Sequence, residues 1–351
     1  MSLGRKEDLR LAGVYSYGVD NGRGNLVGIQ PWMVPADYTS PARLQAKLAA
    51  YLDLVRGRGW LNERTIVVYP EYIGSWLVVV GEGRSVYTAP TIVRAMVPLA
   101  LRNVRAFVRA WRAARAPDRM RAALFQMKGA AMAAAYHEVF SALARIYGVT
   151  LVAGSIVLPA PRIEAGRIAA GRGPLRNIAA VYRPDGALHA PLVSKAYPVS
   201  DELRFLEAAP VADLPTFETP AGRLGVLICA DAWYPDPWER LRSQGAEIVA
   251  VPSYVSHDNS WTEPWGGYDG APPPPDVDAS DVGRLTLGEA WVRYATIGRG
   301  RRAGIRHGMT VCLRGKLWDL GTDGTTTAFQ GEQAWVTPRA AGAAIVVLWL
   351  T

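Results

Sequence analysis

Three apolar runs each stop at a residue able to do chemistry. TIVVYP ends on Glu71, ALHAPLVS ends on Lys195, and RLGVLI ends on Cys229. Ligands of α/β proteins bind beyond the carboxyl ends of strands, so a carboxylate, an ammonium and a thiol placed there can share one pocket. Together they suit acyl transfer. A free thiol titrates at about 8.5 and needs a base or a cation beside it to become a nucleophile. Glu71 can take the thiol proton and return it to a leaving amine. Lys195 and the backbone N–H of Ala230, one residue past the sulfur, can hold the negative charge that develops on the attacked group. This is the logic of a catalytic triad without histidine. Each residue also has a structural explanation: a buried strand cysteine is a small core residue, and Glu71 or Lys195 can be a solvated strand end. The second cysteine, Cys312 in MTVCLRG, is expected to be of the core kind.

The elements that must position these residues read as α/β, with apolar β-branched runs alternating with helical patterns. NLVGIQPW is the first expected strand. SPARLQAKLAAYLDLVRGRG follows as a helix with Ser40 as N-cap, Pro41 in its first turn and Gly57 or Gly59 near its end. The Ala/Arg-rich stretch of about 90–147 is expected to form two helices broken near Ala116-Pro117-Asp118, with Asp118 capping the second and Gly148 ending it. VTLVAGSIVL reads as one strand. NIAAVYRPDGALHAPLVSK reads as a hairpin turning at Asp185-Gly186, and PTFETPAGRLGVLIC as another turning at Pro220-Ala221-Gly222. PWERLRSQG is a short helix, AEIVAVPS a strand, and AAIVVLWL the last strand. Residues 256–283, with GAPPPPDVDAS, read as an irregular surface loop. No inter-domain linker is visible, so residues 1–351 are expected to form a single domain.

Bulk properties exclude several classes. The 351 residues are 50% hydrophobic and 20% charged, a globular composition. Two cysteines without a C-x-x-C pair argue against a disulfide framework or a thiolate zinc site, and a reduced, cytoplasmic setting is expected. The opening MSLGRKEDLR has no apolar core of a leader peptide. The longest apolar candidate, TIVRAMVPLALRNVRAFVRAW, is interrupted by Arg94, Arg102, Arg105 and Arg109, so no membrane span is expected. The net charge of +8 raises the question of nucleic acid, yet the arginines are scattered, and even the cluster GRGRRAGIRHG has no interleaved aromatics. No nucleic-acid partner is expected.

With those motifs in hand, the chain resembles the nitrilase superfamily, the carbon–nitrogen hydrolases with a Glu-Lys-Cys triad. TIVVYPE matches the family's strand ending in Pro-Glu. PLVSKAYPVSDELRF matches its lysine motif, with Glu202 following Lys195. GVLICAD matches Gly-x-x-x-Cys-x-Asp/Glu at Gly225, Cys229 and Asp231, and GAEIVAVPS and the early VGIQ with Gln30 are also family-like. The resemblance covers about residues 25–350. The interval from Glu71 to Lys195 is longer than usual, which assigns the excess to an enlarged helical region of about 81–147. The resemblance implies an α-β-β-α sandwich of two central sheets flanked by helices, a homodimer or higher homo-oligomer, and no metal or organic cofactor. The histidines at 137, 189, 257 and 307 also lack a metal-like spacing. It further implies that Glu202 positions the substrate or the attacking water, with Asp201 and Glu207 as competitors for that role.

The resemblance points to a small-molecule amide or N-carbamoyl substrate and a cysteine thioester. Nitrile hydrolysis is the alternative: the lysine-motif spacing favours it, whereas Cys229-Ala230-Asp231 stands where nitrilases tend to carry Cys-Trp-Glu. Acyl transfer to an acceptor other than water, and a catalytically silent binding protein, are the remaining readings. Tyr72, Trp233, Tyr234, Ser253 and Tyr254 flank the catalytic strand ends and are candidate pocket walls, with core packing the competing explanation. Trp261, Trp265 and Tyr268 are candidates for a lid from the proline-rich loop.

Overall fold

The structure, a computed structural model, describes residues 8–351; the leader-free opening predicted above lies, in its first seven residues, outside that range. Two main sheets dominate. The first runs in the order Leu11–Tyr17, Ala343–Trp349, Asn25–Gln30, Thr65–Val68, Thr150–Val152, Leu175–Tyr182, Leu188–Ser194, and Ile156–Pro159 pairs with Leu175–Tyr182 beside that path. The second runs Thr216–Thr219, Gly222–Val226, Ile248–Ser253, His307–Cys312, Thr327–Gln330, Gln333–Val336. Strand periodicity divides their apolar residues between two cores. In the first sheet Val27, Ile29, Val67 and Leu151 face helices Pro41–Arg56 and Arg119–Tyr147. Leu26, Ile66, Val68 and Val152 face the second sheet, where they meet Leu224, Val226 and Val249 in one cluster. Helices Pro235–Ser243, Leu287–Tyr294 and Thr296–Arg302 cover the far side of the second sheet through Trp238, Leu241 and Ala290. The result is the expected α-β-β-α sandwich.

Local signals explain most boundaries. Ser40 Oγ accepts the Arg43 N–H, and Pro41 opens the helix that ends at Arg56. Asp118 caps Arg119–Tyr147 through the Arg121 N–H, and Gly148 ends that helix in the left-handed conformation. Gly225 keeps the strand close to its covering helix: a Cβ there would lie 2.6 Å from Leu241.

Four expectations are corrected. The first strand is Leu11–Tyr17, parallel to Ala343–Trp349 at the edge of the sheet; its apolar alternation is too weak to mark it in sequence. The hairpin Thr327–Gln330 and Gln333–Val336 was also not anticipated. The 90–147 region holds three longer helices, Ile92–Arg102, Val104–Ala113 and Arg119–Tyr147. The extra break falls at Asn103, whose amide donates to Leu99 C=O and so competes for the last-turn carbonyls. VTLVAGSIVL is two strands, because Gly154-Ser155 leaves the ladder to clamp the turn that carries Glu71.

Candidate active site

Glu71 follows the buried strand Thr65–Val68 in a turn that is held from outside. Gly154, at φ +66°, lies so close to it that a Cβ would sit 2.1 Å from Pro70 O. Ser155 completes the clamp: its Oγ accepts the Tyr72 N–H at 2.9 Å and its C=O accepts the Gly74 N–H at 2.9 Å. Tyr72 itself has φ +61°, an uncommon conformation for a bulky residue that this clamp sustains.

Lys195 leaves the strand Leu188–Ser194 and donates from Nζ to Glu71 Oε1 at 2.8 Å and to Glu202 Oε2 at 2.6 Å. All three side chains are buried. Asn177 joins both carboxylates, with Nδ2 at 2.9 Å from Glu71 Oε1 and 3.4 Å from Glu202 Oε1. Glu202 also accepts the Val199 N–H at 2.9 Å and the Tyr72 hydroxyl hydrogen. It is therefore anchored to Lys195 on one side and to the wall residue Tyr72 on the other. Its competitors do not reach Lys195: Asp201 pairs with Arg121 and Glu207 with Arg176.

Cys229 begins a tight turn beyond Gly222–Val226 with φ +51°. Backbone of this kind in a non-glycine residue costs about 1–3 kcal/mol and persists only where neighbours over-determine it. Asp231 supplies that constraint. Its Oδ2 accepts the Ile228 N–H at 3.1 Å, while Oδ1 accepts the Ala196 and Tyr197 N–H groups at 2.9 and 2.7 Å. One buried carboxylate thus ties the thiol turn to the segment that follows Lys195. The Cys229 thiol donates to Tyr254 C=O at 3.6 Å.

Burial sets the charge state of the cluster. It pushes Glu71 up to about 7; Lys195 opposes the rise and Glu202 adds to it, while hydrogen bonding with Lys195 and Cys229 restrains it. Burial lowers Lys195, but the Glu202 and Glu71 carboxylates outweigh it and hold the ammonium well above its usual range. Burial raises the Cys229 thiol, Glu71 raises it further, and Lys195 pulls the other way. The resting site therefore holds a protonated thiol beside a carboxyl poised near neutrality.

These groups meet at a cavity of about 460 Å³ lined by Glu71, Lys195, Glu202, Cys229 and Ala230. Of the candidate wall residues, Tyr72, Trp233, Tyr234 and Tyr254 line it, and Ser253 does not. Ser253 is still inside its strand, its hydroxyl donates to Val251 C=O, and the half-buried Tyr254 just after the strand takes the place on the cavity wall. Trp265 and Tyr268 also line the cavity, whereas Trp261 is packed against Trp291 with ring centroids 5.9 Å apart. The proline-rich segment is an irregular, largely exposed loop that nevertheless turns Trp265 and Tyr268 inward as a wall of the cavity. Arg299 secures it, donating from Nε to Trp233 C=O at 3.0 Å and from Nη2 to the Tyr268 hydroxyl at 3.2 Å, with Asp276 completing the ion pair. Sequence reasoning missed Asn177, Asp231 as a tie, and Arg299. The Cys-x-Asp spacing was a usable signal for Asp231 only. Among the described residues no group of three or more His, Cys, Asp or Glu is placed to hold a metal ion, and no helix is long and apolar enough to cross a membrane.

Comparisons with known proteins bear on the family and the fold. A family model described as carbon-nitrogen hydrolase matches residues 91–267, half of the chain, including Lys195, Glu202 and Cys229. A deaminated glutathione amidase of Yersinia enterocolitica is 46% identical over 44 residues, which span 12% of this chain and 15% of that relative's length. Among solved structures, a cysteine-to-serine variant of an amidase from Nesterenkonia AN1, described as of the nitrilase superfamily, superposes with TM-score 0.53 at 15% identity, covering 95% of this chain and 94% of that one. A cysteine-to-alanine variant of the Nesterenkonia amidase in complex with butyramide superposes with TM-score 0.51 at 14% identity, covering 93% of this chain and 89% of that one. At such identities the likeness is one of fold.

Proposed function

The chain belongs to the carbon–nitrogen hydrolase family, and from that premise we propose that it hydrolyses an amide or N-carbamoyl substrate through a thioester on Cys229. The observation that carries the reading is the buried junction of Glu71, Lys195 and Glu202, at 2.8 and 2.6 Å, beside a cysteine held in a strained turn on the same cavity. Glu71 takes the Cys229 proton as the sulfur attacks the carbonyl carbon. Lys195 and the Ala230 N–H hold the negative oxygen of the tetrahedral species. The carbon–nitrogen bond then breaks, and ammonia or an amine leaves with the proton from Glu71. Water attacks the thioester as Glu71 takes its proton, and the carbon–sulfur bond then breaks to release the acid while Glu71 returns that proton to the Cys229 sulfur, regenerating the thiol. Glu202 keeps Lys195 in place and, through Tyr72, orders the wall beside the attacking water. A homodimer or larger homo-oligomer is proposed on the family membership, with sedimentation as its measure.

The test combines ammonia release with intact-protein mass spectrometry across a panel of amides, N-carbamoyl compounds and nitriles. Acyl adducts on Cys229 with amides faster than nitriles are expected. Faster nitrile turnover moves the assignment to nitrilase. Turnover without any adduct, surviving in Cys229→Ala, removes the thioester scheme.

A further inference from the structure

The enlarged helical region does more than lengthen the chain between Glu71 and Lys195. Beside the catalytic cavity it builds a second one, of about 690 Å³. Ile92, Met96 and Leu99 project into it from one face of helix Ile92–Arg102, and Leu124 and Phe125 enter it from helix Arg119–Tyr147. Trp76 and Trp318, with ring centroids 5.9 Å apart, also line it. A groove of this size leaves apolar side chains such as Val93 and Met120 in contact with water, a surface that an apolar occupant would cover.

Its position says which one. Tyr72, Asp201, Tyr254, Ser256 and His257 line both cavities, so the groove adjoins the site of Cys229 across these shared side chains. The rings of Tyr72 and Tyr254 meet at 5.6 Å at that junction. The cation at the groove, Arg121, is already engaged by Asp118 at 2.6 Å and by Asp201 at 2.5 and 2.8 Å. It therefore offers little to an anionic group. A neutral, extended hydrocarbon chain fits these conditions; a short or charged one does not.

We propose that this groove receives an extended neutral hydrocarbon chain of the substrate whose carbon–nitrogen bond lies at Cys229, so that chain length governs selectivity. The inference rests on the hydrolase reading for the placement of the reacting bond. The chain can belong to the acyl half or to the amine half of the amide, and two substrate series separate these sources. One runs from acetamide to octanamide, the other from N-methylacetamide to N-octylacetamide. In the series that fits, kcat/KM is expected to rise about fourfold per methylene until the groove is filled. Addition of a terminal carboxylate to the longest chain is expected to cancel most of that gain.

Met96→Lys is expected to flatten the series while leaving acetamide turnover within twofold of the parent. Met96→Trp, which fills the same space without charge, is the second variant should the first fail to fold. Calorimetry of both series against Cys229→Ala protein reads the groove independently of chemistry. If no amide is turned over but affinity still climbs with chain length, the groove stands and the hydrolase reading fails. Flat affinity and flat kinetics in both series, with short amides active, overturn the groove alone. A Met96→Lys protein that changes oligomeric state without changing the chain-length profile also overturns it, in favour of a second copy covering this face.

Discussion

Cys229 and Cys312 lie at the ends of neighbouring parts of the second sheet, one beyond its strand and one within it, and they invite comparison because so much about them is alike. Each follows or ends a buried strand of the second sheet, and burial is the main force raising both thiols. The difference lies in backbone and neighbours. Cys312 is still in the ladder, paired with Ser253, and its sulfur donates to Thr325 C=O at 3.7 Å. Cys229 has left its strand, turned to φ +51°, and faces the cavity shared with Glu71 and Lys195. Burial alone makes a thiol inert. A reactive site needs the turn that frees the sulfur and a base whose proton affinity burial has also raised.

Substitutions can break or sharpen that contrast. The largest effect is expected for Cys229→Ala, a loss of about 10⁴-fold or more in kcat with unchanged thermal unfolding, read by ammonia release. Glu71→Gln follows, with a loss of about 10³-fold, because the variant cannot accept the thiol proton. The proposed reaction needs Glu71 ionised, and burial pushes its carboxyl up to about 7. A pH profile of kcat/KM is therefore expected to rise with pH through about 7 and to fall tenfold per unit on the acid side. The residual activity of Glu71→Gln should lack that limb.

Tyr72→Phe removes one hydrogen bond to the Glu202 carboxylate and is expected to lower kcat about tenfold, since a bond to a charged group contributes about 1.5–3 kcal/mol. Recovery of the parent rate would show that Val199, Asn177 and Lys195 hold Glu202 without it. Cys312→Ala is the smallest and the control. Turnover is expected within twofold of the parent, with about 1 kcal/mol lost from stability as a small cavity opens, measured by denaturant unfolding. An equal loss of activity in both cysteine variants would erase the distinction between the two strand ends.

Much of the fold is legible in the sequence because many of its elements are marked locally. Apolar runs bounded by turn residues mark Thr65–Val68, Ile248–Ser253 and Ala343–Trp349, and Ser40 and Asp118 mark two helix starts. The edge strand Leu11–Tyr17 and the hairpin Thr327–Val336 were not, since their patterns are weak and their pairing partners lie elsewhere in the chain or in the same short hairpin. The proline-rich segment is the loop its composition marks, but no repeating pattern in the sequence signals that buried aromatics and Arg299 fix one side of it against the cavity. Ser253 was assigned to the pocket by its nearness in sequence, which does not say where a side chain points.

Sequence by itself determined the strand ends and the residue types on them: a carboxylate at 71, an ammonium at 195 and a thiol at 229, in an α/β chain. Only the tertiary structure decided what stands beside them. Near its turn the Leu175–Ser194 hairpin pairs Leu188 with Tyr182, a register that extended unchanged would set Lys195 opposite Leu175. The register shifts between His189 and Val193, and Lys195 instead donates its N–H to Asn177 C=O. That shift is what places Asn177 between Glu71 and Glu202. It could not be read from residue spacing, because a bulge changes which residues face one another without changing the order in which they are written.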